Sequence, residues 1–143
     1  MTVDVRPSVL VHRPRADVAA FMFDPQHDLR WTGGITSSTP SQPGRLATGA
    51  TVERTARFLG RTFTYGYEVI DAQADHLVVM KVDRPFPMLV RYELEDAPDG
   101  TLVTIHATGA PRGFFGLASP LMKGQVRKSI TADLHRLRFC LEQ

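Results

Sequence analysis

A single cysteine, Cys140, leaves this chain without an intrachain disulfide or a cysteine-ligated metal cluster. Its place among the apolar positions of the last predicted helix points to a buried packing role. No apolar run approaches the roughly 18 residues that a membrane span requires, and Met1 to Pro14 lacks the apolar core of a signal peptide. A cytosolic location is therefore expected. The histidines His12, His27, His76, His106 and His135 fall on different predicted elements without metal-ligand spacing. Neither a Ser-His-Asp arrangement nor a glycine-rich phosphate loop is legible, so no metal and no cofactor are expected. Charge is also nearly balanced, with 17 Lys and Arg against 15 Asp and Glu. Many of the basic residues crowd the C-terminal end without a repeated aromatic stacking platform. A solvated helix face is thus expected, with no nucleic-acid partner and at most peripheral contact with a membrane.

What is present suits one folded domain covering residues 1–143. Hydrophobic residues make up 43% and charged residues 22%, enough of the former to build a core and too little of the latter for a disordered chain. Val3, Val5, Val9 and Val11 alternate and stop at Pro14, which predicts a first strand. Val18, Phe21 and Met22 then recur at helical spacing. Asp24-Pro25 is a helix-start signal, and a second short helix carrying Leu29 and Trp31 is predicted to end at Gly33-Gly34. A ragged strand and a loop around Pro43-Gly44 follow.

From there strands dominate. Val52, Arg54, Ala56 and Phe58 alternate in one run and Phe63, Tyr65, Tyr67 and Val69 in the next, with Gly60 as the turn between them. Leu77 to Val82 is nearly continuously apolar, and Met88, Val90, Tyr92 and Leu94 mark another strand. Asp99-Gly100 signals a hairpin into Leu102 to Thr108. Short turns between neighbours predict an antiparallel sheet of about six or seven strands. The period then changes: Val126, Ile130, Leu134, Leu137 and Leu141 recur every three or four residues after Ser119-Pro120, predicting a long helix from about 119 to 141.

Just before that helix stands GAPRGFFGLASPLMKG, Gly109 to Gly124, unusually apolar for a connecting segment. Either Phe114 and Phe115 fill core or they border a cavity. Among polar residues within strands, Arg54, Glu68, Arg91 and His106 are expected on the solvated outer face, because their alternating partners are apolar.

The order of elements resembles the helix-grip fold, and particular motifs sharpen the likeness. FMFDPQHDLRW is similar to the phenylalanine, Asp-Pro and tryptophan pattern after the first strand of the START-like superfamily, which includes polyketide cyclase/dehydrase-like, lipid-transport-like and birch-pollen-allergen-like proteins. RFLGRTFTYGYEV, DGTLVTI and the passage from GAPRGFFGLASPLM to the end resemble the hairpin, the penultimate-strand turn and the closing helix of its small bacterial members.

The resemblance implies an α+β fold in which a curved antiparallel sheet and the C-terminal helix enclose an apolar cavity. It places Phe114, Phe115, Leu117, Leu121 and Met122 at or below the cavity mouth. Met80, Tyr65, Tyr67 and Tyr92 complete the expected ligand-contacting set, the tyrosine hydroxyls serving either a ligand carbonyl or a neighbouring backbone group. Trp31 and Asp24 are expected to be structural. The expected function is binding of a small hydrophobic or amphipathic molecule, such as a lipid, polyketide or isoprenoid, in a cavity of ~300–1,000 Å³. A polyketide cyclase or aromatase using the same cavity, and an interaction module docking through the basic helix, are the alternatives. No catalytic residue is legible.

Overall fold

In a computed structural model, residues 3–58, 60–84, 86–110 and 119–143 are described. The segment holding Phe114, Phe115 and Leu117 lies outside them. The expected first strand is two: β1 (Val3–Val5) and β2 (Ser8–Val11), separated at Arg6-Pro7. Proline has no N–H to give the ladder and interrupts it there. Both pieces pair antiparallel with the last strand, β8 (Gly100–Gly109). Between them in sequence lie α1 (Arg15–Met22), a 3-10 turn (Pro25–His27) and α2 (Asp28–Trp31). The Asp24 carboxylate caps the turn by accepting from Gln26 N–H at 3.1 Å, and Pro25 occupies the position that needs no donor.

The remaining strands are β3 (Ile35–Pro40), β4 (Thr51–Phe58), β5 (Arg61–Gln73), β6 (Leu77–Val82) and β7 (Met88–Ala97). One 8-stranded sheet results, ordered β1-β8-β7-β6-β5-β4-β3 with β2 also on β8. The split at Pro7 accounts for the extra strand over the expected number. The hairpin near Gly100 is shifted by one residue, since Ala97 pairs with Gly100 and leaves Pro98-Asp99 as the turn. Gly100 instead meets the end of β2: a Cβ there would collide with the Val11 carbonyl.

The helix α3 (Ser119–Leu141) crosses the concave face of this sheet. Its apolar stripe behaves as the spacing predicts, with Val126, Leu134, Leu137 and Leu141 buried against the inward side chains of the strands. Leu121 and Phe139, one on each end of its outer side, are 54% and 67% exposed. Cys140 is only partly buried, its Sγ 3.5 Å from the Arg30 carbonyl, a correction to the expected core role. A clasp fastens the end of α3 to the start of the fold. Glu142 accepts from the His12 backbone N–H at 2.8 Å and pairs with its ring at 2.9 Å, while Arg13 Nε donates to the Leu141 carbonyl at 2.7 Å. Hydrogen bonds from His12 hold the Glu142 carboxyl below its ordinary value. No described helix is long and apolar enough to cross a membrane.

The close approach at Gly100 has a measurable cost if filled. Gly100→Ala is expected to lower the unfolding free energy by about 1–3 kcal/mol. Gly124→Ala, where an added methyl meets nothing within 4 Å on the surface of α3, is expected to leave it unchanged or raise it. Urea denaturation of the two variants checks both.

Candidate ligand cavity

Alternation along the strands decides which side chains face α3. In β4 the inward phase carries Val52, Arg54, Ala56 and Phe58, and in β5 it carries Phe63, Tyr65, Tyr67 and Val69. In β7 it carries Met88, Val90, Tyr92 and Leu94. Between these strands, α2 and α3 lies a cavity of about 210 Å³. Its wall includes Trp31 from α2, Arg54 and Ala56 from β4, Tyr65 from β5, Tyr92 from β7 and Ile130 from α3. That volume is below the range expected from the sequence.

Arg54, on the wall, forms a buried ion pair with Asp28 behind it. Arg54 Nη2 donates to Asp28 Oδ2 at 2.8 Å, and Ser38 Oγ donates to the same oxygen at 2.7 Å. The guanidinium also lies over the Tyr67 ring, 4.9 Å from its centroid, and Arg54 is the cross-strand partner of Tyr65. Placing Arg54 on the inner face corrects the expectation for it. Glu68 does face solvent, while Arg91 and His106 pair with Glu93 and Asp4 on the outer side. Desolvation of an ion pair offsets much of its attraction, so the pair is tolerable only because further polar contacts complete it. Burial opposes the Arg54 charge, but the ionised Asp28 beside it helps to hold it protonated.

The tyrosines respond in the opposite sense. Burial pushes the Tyr92 phenol up to about 12, with Arg54 opposing, and pushes Tyr67 up for the same reason. Across the cavity, burial also raises the Asp133 carboxyl, against the hydrogen bonds it receives from Gly33 N–H at 2.9 Å and Arg136 Nη2 at 2.7 Å. Three buried polar atoms have no hydrogen-bond partner among the described residues: Trp31 Nε1, Arg54 Nε and Tyr67 Oη. The indole packs edge-on against the Tyr92 ring, with centroids 5.7 Å apart.

Of the side chains expected at the ligand, Tyr65 and Tyr92 belong to the cavity wall. Tyr67 and Met80 share the inward phase but are buried in the core around it. Met122 packs with Val3, Val5, Ala107 and Val126, and Leu121 points to solvent; adjacent helix positions diverge by about 100°, so only one of the two can face inward. Phe114, Phe115 and Leu117 are outside the described residues. Trp31, expected to be purely structural, is part of the wall, and so is Arg54, whose partner Asp28 lies behind it. No cluster of three or more potential metal ligands occurs among the described residues.

A family model for polyketide cyclase/dehydrase and lipid transport matches residues 2–142. No curated protein matches the chain by sequence. Among solved structures, TTHA0849 from Thermus thermophilus superposes with a TM-score of 0.82 at 14% identity, covering 97% of each chain. Ara h 8.0201 gives 0.73 at 12% identity over 99% of each chain. The di-domain ARO/CYC StfQ from the steffimycin biosynthetic pathway gives 0.79 at 9% identity, covering 99% of this chain and 52% of that one. At these identities the likeness establishes the START-like helix-grip fold.

Two measurements test the polar patch. Arg54→Met strands the Asp28 carboxylate and is expected to cost about 3–5 kcal/mol of stability in urea denaturation, whereas adding Asp28→Leu recovers most of that loss. The shifted phenols make the fold sensitive to alkali. A folded-state value above the ordinary ~10 means the native state retains protons that the unfolded state releases. The Tyr92 contribution is therefore intact below pH ~10 and lost as pH rises towards about 12. Urea midpoints followed from neutral to alkaline pH should fall across that window, with less fall in Tyr92→Phe.

Proposed function

We propose that this chain, which belongs to the polyketide cyclase/dehydrase and lipid transport family, is a ligand-binding protein that holds a small apolar or amphipathic molecule in the cavity under α3. The observation that carries the reading is the cavity itself, an open recess of about 210 Å³ between the sheet and the helix. Packed interiors keep few voids larger than a water molecule. A recess with aromatic walls and a few polar groups, Arg54 and Asp133 among them, has the make-up of a binding site. Tyr65 and Tyr92 contact the ligand in this reading. Phe114, Phe115 and Leu117 remain proposed for its mouth on the strength of the sequence passage that leads into α3.

A second reading is cyclisation of a polyketide in the same space. Its support is the buried cationic Arg54 beside three tyrosines in the interior, together with the likeness to an ARO/CYC protein. Donors of this kind stabilise an enolate oxygen as it develops. The two readings separate on turnover: a binding protein returns its ligand unchanged, and a cyclase converts a model poly-β-ketone with loss of water.

Native mass spectrometry and a thermal-shift screen of lipids, isoprenoids and aromatic polyketides are expected to find a ligand that raises the melting temperature. Phe114→Ala should weaken that ligand by about 1.5–3 kcal/mol while costing less in stability. No retained mass and no thermal shift across the screen would sink the reading. A stability loss of roughly 3–5 kcal/mol in Phe114→Ala, with unaltered affinity, would remove Phe114 from the mouth and put it in the core.

A further inference from the structure

We infer that the outer face of α3 docks on an anionic membrane surface, with Leu121 and Phe139 entering the headgroup layer and Arg127, Lys128 and Arg138 meeting lipid phosphates. The inference does not depend on what the cavity holds.

Charge is unevenly distributed along this chain. α3 carries five cations, Lys123, Arg127, Lys128, Arg136 and Arg138, and one carboxylate, Asp133. The rest of the chain has twelve basic and fourteen acidic residues. Asp133 lines the cavity and is already engaged by Gly33 N–H and Arg136. Lys123, Arg127 and Lys128 are exposed and have no ion-pair partner among the described residues. The helix is therefore the positive side of a molecule that is slightly negative elsewhere, a distribution that attracts an anionic surface and orients the protein on it.

The apolar residues on this side are aligned. Leu121 and Phe139 are 54% and 67% exposed. Their spacing along the helix corresponds to about five full turns, which puts both on one line parallel to the axis, ~27 Å apart. That line runs opposite the buried stripe of Val126, Leu134 and Leu137. At ~100° per residue Lys128 lies within about 20° of it, and Arg138 and Arg127 flank it at roughly 100–120°, within reach of long side chains.

The shape of this face selects the kind of partner. A helix seated on a sheet presents a convex outer surface, with no aromatic platform here on which bases would stack. A lipid surface is flat and continuous. It offers phosphates at the level of the cationic heads and acyl chains just beneath, at the level of the two apolar tips.

Cosedimentation of the full chain with vesicles of phosphatidylcholine alone, and of equal parts phosphatidylcholine and phosphatidylglycerol, tests this. Binding is expected only to the second kind, and most of it should be lost in molar salt, where the screening length falls to ~3 Å. Lys128→Gln is expected to weaken binding about fivefold, the worth of one charge near an anionic surface. Leu121→Ser and Phe139→Ser should each weaken it about tenfold. Lys81→Gln, which removes the same charge from the outward phase of β6 on the opposite face of the sheet, should leave it within about twofold. All four side chains are exposed, so the variants keep the fold. No binding to the anionic vesicles at low salt, equal binding to both kinds, or equal losses in Lys128→Gln and Lys81→Gln would overturn the inference. Full binding by both serine variants would overturn it too, since attraction by charge alone fits a soluble acidic partner as well as a bilayer.

Discussion

A guanidinium and a carboxylate 2.8 Å apart in the interior join the sheet to the helical layer. Arg54 comes from β4 and Asp28 from the start of α2, a helix of 4 residues that has no stability of its own. The pair fixes one end of that helix, and α3 fixes the other: Asp133 accepts from Gly33 N–H while Arg136 Nε donates to the Trp31 carbonyl at 3.1 Å. The Arg136 guanidinium lies where a Cβ of residue 33 would be, so a side chain there would displace it. Held at both ends, α2 sets the position of Trp31 against Tyr92. The cavity exists in its present shape because those two rings and Arg54 are not free to collapse into it.

This arrangement also explains an otherwise unfavourable choice. A buried ion pair contributes little net stability compared with apolar residues of the same volume. Here it brings a cation to the wall of an apolar space without leaving that space charged overall. Shape and polarity of the cavity are thus determined by one interaction, and a change to either partner alters both.

The sequence reveals faces more readily than depths. The stripe of α3 and the alternation of β4, β5 and β7 identify the inward residues, because a buried helix side and a half-buried strand each impose one period. The same alternation puts Arg54 in phase with Val52, Ala56 and Phe58, a local signal that it faces inward. Only the general preference of charge for water argued otherwise, and the side chain that overrides it, Asp28, is 26 positions away, beyond any local pattern. Tyr65, Tyr67 and Met80 share an inward phase, yet only the first reaches the cavity; how far inside a residue lies depends on sheet curvature and on α2. Trp31 was legible as a buried ring but not as one with an unmatched N–H. The split between β1 and β2 follows from a single proline that alternation alone passes over.

The order of strands carries a consequence for how the protein is made. Val3 pairs opposite Gly109 and Val11 opposite Thr101, so β1 and β2 are synthesised well before the strand they pair with. Until then Val3, Val5, Val9 and Val11 have no sheet to join, and closing a loop of that length is slow. The middle strands, each beside its neighbour in sequence, assemble as successive hairpins without them. Completion of the sheet therefore waits for β8, and until then the apolar faces of β1 and β2 stay uncovered.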